Sequence, residues 1–252
     1  MYHGHMTPLT VQFLGSGDAF GSGGHFQACI LVRSDASAFL LDCGTSSLIA
    51  MRRFDVDPNA IDAILISHLH GDHFGGLPFF ILGAQLISRR TRPLLVAGPP
   101  GMEERVRQAM DVLFPGSSQT QRRFAIDFVE LPEETPIRAG RLEVTAYAVV
   151  HASGAPAYAL RVRCDDKVIA YSGDTEWTDA LLRAAADADL FICEAYFFEK
   201  QIKFHLDYQT LLQHRSQLSC RRLILTHMNE DMLRRLPDVD LEYAEDGKVI
   251  VL

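Results

Sequence analysis

The sequence predicts an α/β protein in which mixed β-sheets carry their helices on the outside. Short apolar runs of strand length alternate with segments of helical periodicity along the 252 residues. The early runs follow one another closely, as in hairpins, whereas the later runs are separated by helical patterns. A chain with this order of elements and 48% hydrophobic residues can bury a sizeable core between and around its sheets.

The individual elements follow from apolar runs bounded by turn residues and from apolar positions at helical spacing. The predicted strands are Leu9–Leu14, Ala28–Arg33, Ala38–Leu41, Ile61–Ile66, Leu94–Ala97, Phe124–Glu130, Leu142–Val149, Ala157–Val162, Val168–Tyr171, Leu190–Cys193, Leu223–Thr226 and Lys248–Val251. The predicted helices are Ser46–Arg53, Phe74–Ser88, Met102–Leu113, Thr178–Ala186, Asp207–Ser216 and Asp231–Leu236. Since no repeat, low-complexity tract or linker interrupts the pattern, we expect a single domain over residues 1–252.

Composition and charge narrow the classes of function. The net charge of -8 disfavours general nucleic-acid binding, because phosphate contacts supply most non-specific affinity. Five cysteines lie mostly in apolar runs without a CxxC pair, which is typical of buried free thiols in a reducing compartment. The sequence has neither an apolar run of ~18 residues nor a secretory signal at its start. We therefore expect a cytoplasmic protein with no membrane partner.

One cluster of metal-binding residue types follows the fourth predicted strand. His68, His70, Asp72 and His73 fall within six residues. In an extended segment, side chains two apart share a face, so His68 and His70 can bind one metal ion from the strand end. After a turn at Gly71, Asp72 and His73 can face a second ion. The cluster predicts a two-metal centre; imidazole favours Zn²⁺, with Mn²⁺ and Fe²⁺ as alternatives.

Four further polar residues each follow an apolar run: His151, Asp174, Glu194 and His227. In open α/β sheets, sites form outside the strand ends, so residues far apart in sequence can converge there. Each residue alone is also compatible with a structural role, as a hydrogen-bonded histidine or a turn former. Together with the His-rich loop, they predict one site built from several strand ends.

These residues resemble the motifs of the metallo-β-lactamase superfamily, a family of hydrolases. The similar segments span nearly the whole chain: Phe13–Phe20, Leu41–Gly44, the His-rich loop, His151, Ser172–Thr175 and Leu225–His227. The resemblance implies a four-layer αβ/βα sandwich, with two mixed sheets flanked by helices. It also implies that Asp42 supports the His-rich loop, with a simple turn role as the alternative.

The resemblance implies ligands for two zinc ions from seven side chains. These are His68, His70 and His151 for the first ion, Asp72, His73 and His227 for the second, and Asp174 as the bridge between them. A histidine at position 70 argues against the redox di-iron relatives, which the resemblance associates with a glutamate there.

Three marks are similar to the ribonuclease Z and phosphodiesterase branch: the opening Leu14–Phe20, an aspartate at position 174, and Glu194 followed by His205. In that branch, the glutamate orients a histidine that assists the leaving oxygen of the scissile phosphate. Asp72, Glu194 and His205 are therefore the expected catalytic residues. Because His205 precedes Leu206-Asp207 rather than Ser-Thr, the alternative is a helix N-cap at Asp207 with His205 merely adjacent.

The sequence thus predicts a metal-dependent hydrolase, specifically a phosphodiesterase that acts on small or cyclic phosphodiesters through a metal-bridging hydroxide. Ribonuclease Z carries a long tRNA-binding arm between the positions that match His151 and Asp174. Only 22 residues separate them here, and they read as two strands, so tRNA is not expected as a partner. The alternatives are a lactone, thioester or lactam hydrolase, a ribonuclease Z-type nuclease, and a non-catalytic metal-binding accessory protein. Relatives are often dimers, so a homodimer is expected.

Other charged residues are predicted to lie outside the site. The basic pairs Arg89-Arg90, Arg122-Arg123 and Arg221-Arg222 read as solvated faces. His25 is assigned to a loop, His214 to a solvent-facing helix surface, and His3 and His5 to the chain terminus.

Overall fold

In a computed structural model, which describes residues 8–252, two seven-stranded sheets carry helices on their outer faces. The strands are β1 (Thr10–Gly15), β2 (Cys29–Arg33), β3 (Ala38–Leu41), β4 (Ala63–Leu65), β5 (Leu94–Gly98), β6 (Ile126–Glu130), β7 (Ile137–Ala139), β8 (Leu142–Val149), β9 (Ala157–Cys164), β10 (Lys167–Tyr171), β11 (Leu190–Glu194), β12 (Leu223–Thr226), β13 (Glu242–Tyr243) and β14 (Val249–Val251). The α-helices are α1 (Ser47–Arg53), α2 (Gly71–Phe74), α3 (Leu77–Leu86), α4 (Met102–Leu113), α5 (Ala180–Ala185), α6 (Tyr208–His214) and α7 (Glu230–Arg234). His3 and His5 lie outside the described residues.

The two sheets have the same internal plan. The first has the order β14-β1-β2-β3-β4-β5-β6 and the second the order β13-β12-β11-β10-β9-β8-β7. In the first sheet, β14 to β3 pair antiparallel and β3 to β6 pair parallel. In the second, β7 to β10 pair antiparallel and β10 to β13 pair parallel. The predicted pair of mixed sheets is therefore confirmed.

Three apolar layers hold the sandwich together. The central layer, which includes Phe13, Leu41 and Ile192, packs the inner faces of the two sheets against each other. A second layer packs the first sheet against α1, α3 and α4, and a third packs the other sheet against α5, α6 and α7. Strands covered on both faces read as continuous apolar runs, which is the pattern of Leu190–Cys193 in the sequence. The predicted αβ/βα layering is thus confirmed.

The His-rich loop differs in backbone form from the prediction. His70 is extended, as expected, but the chain enters α2 at Gly71, so Asp72 and His73 lie in a helical turn. The predicted helix Phe74–Ser88 is broken at Gly75-Gly76 and resumes as α3. A Cβ atom at Gly76 would lie 2.2 Å from the carbonyl oxygen of Gly44. The break therefore allows the chain to pack directly on the loop after β3.

One prediction about surface residues is wrong. Arg90 is 1% exposed rather than solvated. Its guanidinium donates to the carbonyl oxygens of Ile61 and Pro93, both at 2.7 Å, because five N–H donors on a long stem can satisfy several loop carbonyls at once. His214 is partly exposed at the end of α6, as the prediction allows, and its ring stacks on Trp177 at a centroid distance of 4.0 Å.

Other composition-based expectations agree with the structure. All five cysteines are buried and free, as predicted. Among residues 8–252, no helix combines the length and the apolar character that a membrane crossing requires.

Candidate metal centre

The candidate site lies where the carboxyl ends of strands from both sheets meet. The His-rich loop follows β4 of the first sheet. In the second sheet, His151 follows β8, Asp174 follows β10, Glu194 ends β11 and His227 follows β12. The structure brings all seven predicted ligands, Glu194 and His205 into this one region.

The first group of side chains contains three imidazoles. One ring nitrogen from each of His68, His70 and His151 lies within 4.8 Å of the others. His70 Nδ1 and His151 Nε2 are 3.0 Å apart. His151 Nδ1 lies 2.8 Å from the carbonyl oxygen of Phe204, which can only accept. That contact fixes the His151 tautomer and leaves the Nε2 lone pair facing the other two rings.

The second group contains Asp72, His73, Asp174 and His227, also within 4.8 Å. Asp174 Oδ1 is 3.2 Å from His73 Nε2, and Asp174 Oδ2 is 3.2 Å from His227 Nε2. Asp174 Oδ2 also lies 3.8 Å from His68 Nε2 of the first group. Asp174 is therefore the carboxylate that faces both groups.

The unsatisfied atoms of the site fit a metal ion. His68 Nε2, His73 Nε2 and Asp174 Oδ1 are buried and have no hydrogen bond of acceptable geometry. Buried polar atoms in such numbers are costly unless a cation satisfies them. Although burial opposes it, the negative charges of Asp174 and Asp72 raise the pKa of His73 and bring that of His227 to about 9. The second group therefore has a negative potential that favours cations, whereas in the first group burial lowers the pKa values of His68 and His151.

Asp42 is the common support of the His-rich loop. Its fully buried carboxylate accepts hydrogen bonds from the Ser67 amide at 2.7 Å and the Ser67 hydroxyl at 2.8 Å. It also lies 2.7 Å from His73 Nδ1, while the Ser67 hydroxyl lies 3.1 Å from His68 Nδ1. One carboxylate thus orients a ring in each group, which leaves the Nε2 atoms of His68 and His73 directed into the site.

Glu194 and His205 form a pair beside Asp174. His205 Nδ1 is 3.0 Å from Glu194 Oε2 and 3.9 Å from Asp174 Oδ2. Burial lowers the pKa of His205, but the hydrogen bond and charge of Glu194 outweigh it, so that the pKa is raised overall. Burial also disfavours the charged form of Glu194 and so raises the pKa of its carboxyl. Asp207 also caps α6, since its side chain accepts from the Thr210 amide at 2.9 Å. The segment therefore contains both the cap at Asp207 and the contact between His205 and Glu194, and the catalytic role of His205 stays a prediction.

Three residues at the site have strained backbone conformations. Asp42, Phe204 and His227 have φ values of 59°, 72° and 57°, in the left-handed region that side chains with a Cβ rarely adopt. Such conformations cost on the order of 1–3 kcal/mol each and persist only where surrounding contacts determine them. At Phe204, the strain directs the carbonyl oxygen to His151, while the Phe204 amide donates to Glu176 at 2.8 Å.

Several contributing residues were not found from the sequence. The supports supplied by Ser67 and Phe204 carry no side-chain signature of their own, since one is a serine and the other acts through its carbonyl oxygen. Predictions for His25 agree with its position: it lies in a loop, 3.4 Å from Asp246, outside the groups described above.

The fold and the strand-end site define a member of the metallo-β-lactamase superfamily. Superposition on solved structures agrees with this class. Human tRNase Z, short form, superposes with a TM-score of 0.76 at 24% identity, over 96% of this chain and 98% of that one. YhfI from Bacillus subtilis, a metallo-β-lactamase fold protein, superposes with a TM-score of 0.78 at 21% identity, over 97% and 99%. The predicted resemblance is confirmed.

Within that superfamily, residues 9–249 match the model described as anti-Pycsar protein Apyc1, and the chain belongs to this family. A ribonuclease Z of Lachnoclostridium phytofermentans is 25% identical over 295 aligned positions, which cover 96% of this chain and 93% of the relative. Ribonuclease Z is a hydrolase, so this relative supports the prediction that the chain is a hydrolase.

Proposed function

We propose that this protein is a two-metal phosphodiesterase that hydrolyses small or cyclic phosphodiesters, such as cyclic nucleotides or cyclic sugar phosphates. The observation that carries the proposal is the Glu194–His205 pair, placed 3.9 Å from the carboxylate that faces both candidate metal groups. A proton donor beside the candidate metal groups suits the departure of a phosphate ester oxygen.

The seven ligands proposed from the resemblance would hold two zinc ions: His68, His70 and His151 for one, Asp72, His73 and His227 for the other, with Asp174 shared. Bound divalent cations supply Lewis acidity, which activates water and neutralises charge on phosphoryl oxygens. The protein supplies the orientation: Asp42 and Phe204 fix the ring tautomers before substrate arrives.

His205 is the proposed proton donor to the leaving oxygen. Its Nδ1 is engaged by Glu194, so Nε2 is the nitrogen left to face a substrate. In the metal-free protein, the hydrogen bond and charge of Glu194 raise the pKa of His205 and so favour its protonated form. Glu194 also accepts a hydrogen bond from the amide of Thr175, the residue after Asp174. One buried carboxylate therefore supports both His205 and the backbone next to Asp174.

A ribonuclease Z-type nuclease is the second candidate, because the relatives carry that name. The alignment with the Lachnoclostridium enzyme spans 295 positions, more than the 252 residues of this chain, so the relative has segments that this chain lacks. A shorter chain with a net charge of -8 favours small substrates over tRNA.

The test is a substrate panel with metal-loaded protein. The panel contains bis-p-nitrophenyl phosphate, cyclic nucleotides, cyclic sugar phosphates, a precursor tRNA, a lactone and a thioester. We expect turnover of the small phosphodiesters and loss of that turnover in His205→Ala. Turnover confined to the lactone or thioester would replace the proposal with carbonyl hydrolysis, and cleavage of the precursor tRNA alone would favour the nuclease.

Three further predictions accompany the proposal: zinc as the metal, two ions per chain, and a homodimer of single-domain chains. Metal analysis of the purified protein measures the first two, and light scattering measures the third.

A further inference from the structure

The backbone of His227 is anchored by Ser16, the residue that follows β1 of the first sheet. The His227 amide donates to the carbonyl oxygen of Ser16 at 3.0 Å, and the Thr226 hydroxyl approaches the same oxygen at 3.3 Å. This anchor lies where His227 adopts φ 57°. A left-handed histidine relaxes to negative φ unless a contact prevents it, and relaxation would turn the ring away from Asp174 and Asp72.

Ser16 is in turn held by the carboxylate of Asp246. Asp246 Oδ1 accepts both the amide and the hydroxyl of Ser16, each at 2.9 Å. Asp246 Oδ2 accepts the amide of Phe26 at 2.7 Å. Ser16 is 3% exposed, so these hydrogen bonds are shielded from water and fix the orientation of the peptide.

The position of Asp246 suits it for this contact. It lies in the turn that joins β13 of the second sheet to β14 of the first. Strand β1 fixes that turn, because the Phe13 amide donates to the carbonyl oxygen of Lys248 at 2.9 Å and the Gly247 amide donates to that of Phe13 at 2.6 Å. Asp246 therefore presents its carboxylate from a rigid support.

We propose that Asp246 is a positioning residue for the metal ligand His227, acting through the peptide of Ser16. The proposal rests on the proposed ligation of metal by His227. It concerns only the group formed by Asp72, His73, Asp174 and His227, because the first group is oriented by the separate contacts of Ser67 and Phe204.

Three variants remove the contacts between Asp246 and Ser16 to different extents. Asp246→Ala removes every acceptor. Asp246→Asn keeps one acceptor oxygen for Ser16 but turns an NH₂ group toward the Phe26 amide. Ser16→Ala removes only the hydroxyl and keeps the backbone contacts of residue 16. The matched control is Glu242→Gln, which disturbs a carboxylate of the same segment that binds Arg222 and Lys248 instead of Ser16.

The experiment measures stepwise affinity for Zn²⁺ by competition with a chromophoric chelator, and the absorption spectrum of protein loaded with Co²⁺. Loss of an orienting contact to a metal ligand typically weakens affinity about 10–100-fold. We expect that loss for one of the two ions in Asp246→Ala, a smaller loss in Asp246→Asn, and the smallest in Ser16→Ala. The Co²⁺ spectrum should change only in the component assigned to that ion.

A measurement on metal-free protein complements these titrations. Hydrogen exchange of the segment 223–229 should be faster in Asp246→Ala than in wild type, because the His227 amide loses its fixed acceptor. Glu242→Gln should leave exchange and both affinities unchanged.

The outcomes separate this inference from the proposed function. Wild type that binds two ions, together with an Asp246→Ala variant of equal affinity at both, overturns the positioning inference alone. Equal weakening at both ions also overturns it, because the contact reaches only one group. Wild type that binds no metal overturns both proposals. If Asp246→Ala does not fold, Asp246→Asn carries the same comparison.

Discussion

The two sheets supply the candidate site in different ways. The first sheet contributes four ligands from one short segment after β4, and a single carboxylate, Asp42, supports that segment. The second sheet contributes one residue at each of several strand ends, and more than one group supports them. The carbonyl oxygen of Phe204 supports His151, whereas Glu194 supports both His205, in the segment before α6, and the Thr175 amide next to Asp174.

This difference has consequences for how the site responds to change. A shared support means that one substitution in the first sheet should disturb both metal groups together. Separate supports mean that most substitutions in the second sheet should disturb one function at a time. The exceptions are Asp174, which faces both groups, and Glu194, which contacts both His205 and the Thr175 amide.

The largest effect is expected for Asp174→Ala. It removes the carboxylate shared by both groups, and loss of several kcal/mol of metal-dependent stabilisation corresponds to a decrease in kcat/KM on the order of 10³-fold. Metal content should fall at both positions. The control is Asp189→Ala, which removes a carboxylate that binds the Val168 amide at the opposite end of the same sheet. Retention of both ions by Asp174→Ala would contradict a shared position.

His205→Ala should separate catalysis from metal binding. Loss of a general acid lowers kcat by about 10²–10⁴-fold, while both ions stay bound because other side chains hold them. The comparison variant is Asp207→Ala, which removes the cap of α6 and should cost about 1 kcal/mol of stability without changing kcat. Turnover of bis-p-nitrophenyl phosphate and thermal unfolding distinguish the two. Unchanged kcat in His205→Ala would assign the segment to capping alone.

Asp42→Asn tests the shared support of the first sheet. An amide cannot accept all the hydrogen bonds that Ser67 and His73 make to the carboxylate, so ring orientation is lost in both groups. We expect each Zn²⁺ affinity to fall about 10–100-fold. Asp62→Asn is the matched control, since Asp62 accepts the Ala38 amide far from the site. Weakening at only one ion would remove the distinction between the two sheets.

Most of the fold could be predicted because the elements have clear local patterns. The predicted bounds of β3, β8, β12 and α4 agree with the structure. Strands β7 and β13 were missed because three and two residues are too few to show alternation. The buried Arg90 was misassigned because a charged side chain predicts a surface position. The loop carbonyl oxygens that satisfy its guanidinium are visible only in the folded structure.

The site also contains residues that could be predicted from local patterns and residues that could not. The ligands on the His-rich loop share one segment, so their spacing alone indicated a metal centre. The resemblance implied two supports, Asp42 and Glu194, whereas others come from distant parts of the chain or from main-chain atoms. Asp246 and Ser16 are separated by 230 positions, and Phe204 acts through its carbonyl oxygen. No residue pattern encodes such contacts, because only the closed fold brings these atoms together.

The smallest expected effect concerns the contact between His25 and Asp246, which lies where the two sheets join. The hydrogen bond from His25 to Asp246 raises the pKa of His25 despite partial burial. Its contribution to stability is therefore fully present below the unfolded pKa of about 6.5, and it is lost as pH rises through the higher folded pKa. For Asp246, burial is outweighed by the hydrogen bonds from His25, Phe26 and Ser16, which lower its pKa, so its contribution is lost as pH falls through that lowered value.

His25→Ala should consequently be less stable than wild type by under about 1 kcal/mol near pH 6, with the difference shrinking toward pH 9. Urea unfolding of metal-free protein across this range measures it. His214→Ala is the control, because His214 stacks on Trp177 instead of facing a carboxylate. A difference for His25→Ala that stays constant from pH 6 to pH 9 would show that packing, rather than charge, connects this loop to the turn at Asp246.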